Sequence, residues 1–412
     1  MKGFSKLTRV EEAQKIIHDL SSIKGISSES VGIIDANGRI LVRDIVSGTD
    51  VPPFDRSAVD GYALISEDAL SASHSNPAIL KLIGTSEAGS GQRKLSRGEC
   101  IEIFTGAQIP DGADAVIMAE DTSINGNRVS LFKAVPKYAN ISISGEDLRK
   151  GEMIIAKGTL LKPWHIGVLA SIGCDSVVVK KRPKIGLFST GKELVDITES
   201  HTLAQGSIFD STKPMLICLL KEMGCNILDF GIVEDSIGDI AKALKKLGCS
   251  DADAIITIGG TSLGRKDLVP EAAKSISERG IIFHGLAIKP GKPAGFGIID
   301  NKPLFILPGY PVSALVGFEN LVQPLIYSWL ERRPPEREKV SAIMSRAVPT
   351  SPGIRHFLRV QLRCEDEQMK AIPLAITGSG MLSSITRADG IVIVKEDLEG
   401  LEEGCEVEVE LI

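Results

Sequence analysis

Residues 254–267 read AIITIGGTSLGRKD. A short apolar run meets two glycines, then small polar residues and an acid. Such a run suits a strand buried on both faces of a parallel sheet, which is apolar throughout rather than alternating. The glycines allow a tight turn and a close backbone approach to a ligand. Working outward, the same texture recurs at 184–189, 226–233, 281–288 and 303–307, all short and rich in Ile, Val and Phe. Helical stretches at 212–223 and 236–247 lie between several of these runs. Strands alternating with helices at this spacing predict βαβ units and a mostly parallel sheet over 182–330.

The flanks read differently. ERRPPEREK (331–339) is a charged, proline-rich boundary. Beyond it, alternation at 357–362, 390–394 and 406–411 predicts a small C-terminal β-barrel domain over 331–412. Near the start, Thr8 and Glu11 have capping-box spacing ahead of Ala13, Ile16, Ile17 and Leu20, which predicts an amphipathic helix. A short strand is expected at 39–46 and a helix from about 163. Pro52-Pro53 is stiff and extended, and runs at 101–105, 115–119 and 129–132 read as hairpin strands. The fold class expected is multidomain α/β. Its parts are a linker domain in two segments (1–50 and 145–181), an inserted β-rich domain (51–144), the central α/β domain (182–330) and the barrel (331–412).

Composition narrows the function. The chain has 412 residues, 43% apolar and 24% charged, an ordinary globular balance that excludes disordered and collagen-like classes. A net charge of −6 and a pI near 5.7 argue against a nucleic-acid-binding body. Aromatics at 4% argue against a stacking platform for single strands. No run of eighteen apolar residues offers a membrane span, and the N-terminus lacks a signal-peptide core. A cytoplasmic protein is expected. Seven scattered cysteines without CxxC spacing read as buried reduced thiols rather than disulfides or a zinc site. The six histidines share no ligand spacing. No Ser-His-Asp or Cys-His set can be assembled, so positioning and electrostatics are favoured over nucleophilic catalysis.

In an open parallel sheet, ligands bind where strand ends lead into helices. Here those loops are small and polar: Ser189-Thr190-Gly191-Lys192-Glu193, Gly259-Gly260-Thr261-Ser262 with Asp267 beyond, and Pro308-Gly309-Tyr310-Pro311-Val312-Ser313. Lys289-Pro290-Gly291-Lys292-Pro293 adds two cations held by prolines. Together they predict a phosphate- or oxyanion-binding crevice. Glu193, Asp210, Asp235 and Asp267 suit Mg²⁺ shared with substrate phosphates, while Asp210 and Asp235 also read as helix caps. Outside the sheet, SAVDGYA (57–63), Thr105-Gly106-Ala107 and Gly145-Glu146-Asp147 concentrate polar groups, with a turn as the default reading of the last two.

These blocks resemble, in order and over essentially the whole chain, the MoeA-type molybdopterin molybdotransferases, the group that includes the gephyrin E domain. The most specific are PPFDRSAVDGYA (52–63), FTGAQIPDGADAVI (104–117), GEDLRKGE (145–152), STGKEL (189–194), GGTSLGRKD (259–267), KPGKP (289–293) and LPGYPVSA (308–315). The resemblance implies a MogA-like central domain in an elongated four-domain chain. It also implies a homodimer, with the site where the α/β domain of one subunit meets parts of the other. The implied reaction inserts molybdate into adenylylated molybdopterin, with Mg²⁺-dependent release of AMP. Asp60, Thr105, Asp147, Glu193 and Asp267 would then be catalytic, and Asp235 and Asp267 would hold Mg²⁺. Lys289, Lys292, Ser313, Arg355, Arg359 and Ser379 would bind molybdate and the pterin phosphate. Ser189, Thr190, Gly191, Asp210, Gly259, Gly260, Ser262, Pro308, Gly309 and Pro311 would line the pterin nucleotide. A molybdopterin adenylyltransferase and cofactor-accepting apoenzymes are implied as further partners. Lys192 stands where an acid is frequent, and Thr261 and Leu263 replace valines. Three alternatives are weighed: a nucleotide-cleaving or adenylylating relative of the α/β domain, which the 52–63 block and the inserted domain argue against; a non-catalytic pterin-binding scaffold, which Asp60, Asp267, Lys289 and Lys292 argue against; and a tungstate insertase, which no residue decides.

Overall fold

The computed structural model describes residues 7–21, 25–261, 267–365, 367–374 and 380–412. By internal contacts the chain divides into two units, Met1–Ser28 with Lys180–Ile412, and Glu29–Val179. Among the described residues no helix is long and apolar enough to cross a membrane.

The larger unit is built on a six-stranded sheet. Its order is Asn226–Val233, Lys184–Thr190, Ala254–Ile258, Lys302–Leu307, Gly295–Ile299 and Phe283–His284. The first four strands are parallel, Gly295–Ile299 runs antiparallel to them, and Phe283–His284 pairs antiparallel with Gly295–Ile299. The apolar runs are buried as continuous runs should be: every residue of Ala254–Ile258 and of Lys302–Leu307 is buried. The helices Ile237–Gly248 and Leu268–Ile276 cover one face, packing Ile240, Leu244, Leu247, Val269 and Ala273 against Phe188, Ile255 and Ile306. Ser236 caps the first of them, accepting from the Asp239 N–H at 3.1 Å.

The run 281–288 is not one parallel strand. It splits into Phe283–His284, at the sheet edge, and Ile288–Lys289, which pairs with Arg355–His356 instead. The space it would have filled is taken by Gly295–Ile299, which returns on Lys302–Leu307 through a two-residue turn. Asp300 and Asn301 both hold positive φ there (48° and 61°), the requirement of the hairpin turn that matches strand twist. Thr8 also departs from expectation. It does not cap the first helix, Val10–Ser21, but bridges Leu286 in parallel, and Glu11 pairs with Arg355.

Five strands close the C-terminal barrel: Lys339–Met344, Arg355–Glu365, Gln368–Pro373, Gly390–Val394 and Glu406–Leu411. Alternate residues fill it, including Ala342, Met344, Leu358, Val360, Ala371, Val392, Val407 and Val409. The Ile288↔Arg355 and Lys289↔His356 register joins this barrel to the segment that begins KPGKP.

In the Glu29–Val179 unit, residues from 31–45 and 154–179 share one apolar core, with Leu41, Leu161, Leu169 and Val179 at its centre. A second six-stranded sheet runs Ala115–Met118, Gly61–Leu64, Glu99–Ile103, Ala78–Ser86, Arg128–Leu131 and Thr122–Asn125. Leu64, Cys100, Ile117, Val129 and Leu131 form its core. The cysteines correct the sequence reading. They are free, but only Cys100 and Cys225 are buried, their thiols pushed up to about 12 by burial, whereas Cys218, Cys249 and Cys364 are exposed.

Gly61 lies in the middle of this second sheet, paired with Ile103 and Met118. A Cβ there would stand 1.9 Å from the Ile117 carbonyl oxygen, which is backbone and cannot swing away. Gly61→Ala should therefore destabilise the protein by at least ~1–3 kcal/mol, read as a lower urea midpoint with unchanged secondary structure at zero denaturant.

Candidate active site

The three strand-end loops of the larger unit meet at their backbones. Gly259 (φ 91°) and Gly260 (φ 64°) follow the strand Ala254–Ile258. A Cβ on Gly259 would stand 2.3 Å from the Thr190 carbonyl oxygen, and one on Gly260 2.8 Å from Val269. The Gly259 N–H donates to Leu307 O at 3.0 Å. Gly309 comes within ordinary contact of Gly259, since a Cβ on Gly309 would lie 3.5 Å from the Gly259 Cα. Only residues without side chains let three loops converge so closely. The KPGKP loop completes the group, because a Cβ on Gly291 would meet Ser313 O at 3.2 Å.

Polar side chains project from these loops with few partners. Ser189 and Thr190 are buried at the end of Lys184–Thr190. The Thr190 hydroxyl donates to Asp235 at 3.2 Å, while Ser189 Oγ is buried and unpartnered among the described residues. Asp210 accepts from the Lys213 N–H at 3.1 Å, as a cap would, but its second oxygen is buried without a donor among the described residues. Asp235 is not a cap, since Ser236 fills that role. Asp267 precedes the helix Leu268–Ile276 without capping it, and its Oδ1 is also buried and unpartnered. Unpartnered buried oxygens are costly, so a ligand that satisfies them binds with a built-in advantage.

Other predicted residues take varied places. Pro308, Pro311 and Ser313 are buried, and Gly309 is exposed. Lys289 is exposed and Lys292 half-buried on the KPGKP loop. Glu193 is exposed, close to where a Gly191 Cβ would stand. Arg355 forms a two-pronged pair with Glu396 (3.0 and 3.1 Å) and reaches Glu11 at 2.5 Å. Arg359 meets no carboxylate among the described residues. Its Nε donates to Ser384 Oγ at 2.9 Å, and burial pulls the guanidinium below its ordinary value. Ser262 and Ser379 lie outside the described residues. In the Glu29–Val179 unit, Thr105 donates twice to Asp60, from N–H (2.8 Å) and hydroxyl (2.7 Å), which holds that exposed carboxyl low. The Asp147 N–H donates to Val51 O at 3.0 Å. Arg56–Ser57 pairs with Ile141–Ser142, so the 57–63 and 145–152 blocks start from neighbouring backbone.

Sequence reading passed over three residues. Thr212 donates to Gly309 O at 2.8 Å and ties one loop to another. His284 is half-buried, close enough to Asp267 to feel its charge. Its imidazole is lowered by burial, the larger effect, against the opposing pull of Asp267 and a bond to the Pro293 backbone. Lys213 is almost fully buried between Asp196 (3.0 Å) and Asp229 (3.2 Å). Burial works to lower its ammonium, but the two carboxylates outweigh it and keep it above the ordinary value. Thr212 could have been noticed as a hydroxyl two residues past Asp210. Nothing in the sequence marks Lys213 as buried.

Among the described residues no cluster of three His, Cys, Asp or Glu is arranged to hold a metal ion. Mg²⁺ does not need one. It is held by one or two carboxylates with substrate phosphates and water completing its shell. The unpartnered oxygen of Asp267 and the half-buried carboxylate of Asp235 fit that demand. A cavity of about 960 Å³ lies elsewhere in the unit, among Leu219, Phe318, Tyr327, Pro334, Arg337 and Phe357, and no candidate residue lines it.

Residues 8–173 match the family "MoeA N-terminal region (domain I and II)", 186–328 "Probable molybdopterin binding domain" and 341–412 "MoeA C-terminal region (domain IV)". The chain belongs to the MoeA family. It is an enzyme of molybdenum cofactor biosynthesis. A Methanocaldococcus jannaschii protein named for molybdopterin biosynthesis is 36% identical over 100% of both chains. The Haemophilus influenzae molybdopterin molybdenumtransferase is 33% identical over 93% of each. A crystal structure of the MoeA molybdopterin biosynthesis protein from Pyrococcus horikoshii superposes with a TM-score of 0.82 at 35% identity, covering 98% of this chain and 99% of that one.

Asp196 carries a pH test of the Lys213 cluster. Its carboxyl is lowered from 3.8 to about 2, chiefly by the Thr198 N–H and hydroxyl and then by Lys213. A depressed carboxyl contributes stability that is present above pH ~4 and lost as pH falls toward 2. Urea melts at pH 5 and pH 3 should show the wild type losing stability on acidification, and Asp196→Asn losing less.

Proposed function

We propose that this chain inserts molybdate into adenylylated molybdopterin, releasing AMP and leaving the molybdenum cofactor. The observation that carries the reading is the buried carboxylate oxygen of Asp267, unpartnered among the described residues, beside converging strand-end loops. Curated relatives over most of the chain being named molybdopterin molybdenumtransferase supports it.

The two substrates are both anionic and must be brought together. Lys289 and Lys292 supply positive charge from a loop whose start is bonded into the barrel, and Arg359 adds a guanidinium that no described carboxylate neutralises. The Ser189, Thr190 and Ser313 hydroxyls and the close backbones of Gly259, Gly260 and Gly309 position the phosphates. Asp235 and Asp267 would hold Mg²⁺, which would supply charge neutralisation for cleavage of the phosphoanhydride. Asp60, Thr105, Asp147 and Glu193 take polar roles in the same reaction. The working form is a cytoplasmic homodimer, supplied by a molybdopterin adenylyltransferase and emptied by apoenzymes that accept the cofactor.

The test is AMP release from adenylylated molybdopterin with Mg²⁺, at matched low molybdate or tungstate. Release that needs molybdate is expected. Release that needs tungstate alone would make the chain a tungstate insertase. No release from folded protein that still binds pterin would make it a scaffold and overturn the reading. Asp267→Asn should lower turnover by about 10²–10³-fold while leaving the thermal midpoint unchanged, because Oδ1 makes no hydrogen bond among the described residues and the side chain does not cap its helix.

A further inference from the structure

We propose that Tyr310 is a stacking residue for a planar heterocycle of the substrate, a role that rests on the proposed reaction. The chain has only four tyrosines. Tyr62 and Tyr327 are each 7% exposed, as core tyrosines are, whereas Tyr138 (54%) and Tyr310 (64%) are exposed, and of these two only Tyr310 stands on a strand-end loop of the parallel sheet. It stands between Gly309 and Pro311, in the loop where the strand Lys302–Leu307 gives way to the helix Pro311–Gly317.

Exposed aromatic rings are common and need no explanation when they stand alone on mobile loops. This ring stands on fixed backbone. Gly309 O accepts from the Thr212 hydroxyl at 2.8 Å, Tyr310 O accepts from the Ala314 N–H at 2.9 Å, and Pro311 is buried. The ring is also braced. Its Cδ1 and Cε1 lie 3.2 and 3.4 Å from where a Cβ on Gly380 would be, so the absence of a side chain at 380 lets the ring rest against the barrel backbone. Among the described residues, no hydrogen bond, ion pair or ring contact engages the Tyr310 side chain. A rigid, braced and uncovered ring beside a phosphate crevice is what a flat nitrogen heterocycle stacks on. An adenylylated pterin carries two such rings, the adenine and the pterin. The ring touches neither phosphate nor metalate, so it acts on binding and not on the chemical step.

The experiment measures binding of AMP, ribose 5-phosphate and 6-hydroxymethylpterin to the full-length wild type, Tyr310→Phe and Tyr310→Ala. Molybdate-dependent AMP release is measured on the same proteins. Tyr310→Ala is expected to weaken one planar ligand about tenfold, Tyr310→Phe to retain it, and ribose 5-phosphate to bind all three alike. Loss on AMP assigns the ring to adenine, and loss on the pterin assigns it to the pterin. In turnover, Tyr310→Ala should raise KM with kcat unchanged. Equal binding of all ligands by all variants, with normal wild-type turnover, would overturn the stacking role and leave the proposed reaction standing. Absence of wild-type turnover would overturn both.

Discussion

The larger unit depends on one close approach. Gly259 lies so near the Thr190 carbonyl that a single methyl group would stand 2.3 Å from that oxygen, while its own N–H is bonded to Leu307. Two strand ends are thereby locked together through the one between them. The loops that follow can then only open to the same side. Gly309 packs on Gly259, and Thr212 bonds Gly309, so the fourth loop is drawn in by the same contact. The crevice is a consequence of backbone packing. The polar side chains are secondary to it and are placed by it.

That packing leaves oxygens at Ser189, Asp210 and Asp267 buried without donors among the described residues. In a core such atoms would be a defect. At the carboxyl ends of parallel strands they are a stored demand for a polar ligand, held open by a rigid frame. The Lys213 cluster shows the contrast. There a buried cation is met by two carboxylates, and Asp196 is met again by Thr198. A satisfied buried network holds the loop, and an unsatisfied one beside it waits for substrate.

Much of this was legible in the sequence, for a definite reason. Strands buried on both faces have nothing to alternate with, so Ala254–Ile258 and Lys302–Leu307 stand out as apolar runs leading into glycine or proline. The barrel strands were legible by the opposite pattern. What escaped was set by geometry between distant residues. The run 281–288 was apolar enough for a parallel strand, yet the Asp300-Asn301 turn, itself a readable hairpin signal, claims that edge of the sheet for Gly295–Ile299. Thr8 has the chemistry of a cap and the sequence spacing of one, but the helix starts at Val10 and its first bond goes to Arg9 O, so Thr8 lies one residue before the cap position, where its backbone bridges Leu286. Lys213 looks like any surface lysine, because its partners at 196 and 229 lie on other elements. In the candidate site the loops could be named from sequence. Which oxygens lack partners could not, since that depends on which donors fail to arrive.

The central claim is that the strand-end crevice is where a nucleotide phosphate is held. Hydrogen–deuterium exchange of the full chain, with and without AMP, tests it most directly. The account predicts slowed exchange in peptides covering 189–194, 259–261, 289–293 and 308–315, with the barrel strands and the sheet core unchanged. Slowed exchange confined to other peptides, such as those lining the cavity by Phe318 and Tyr327, would contradict it.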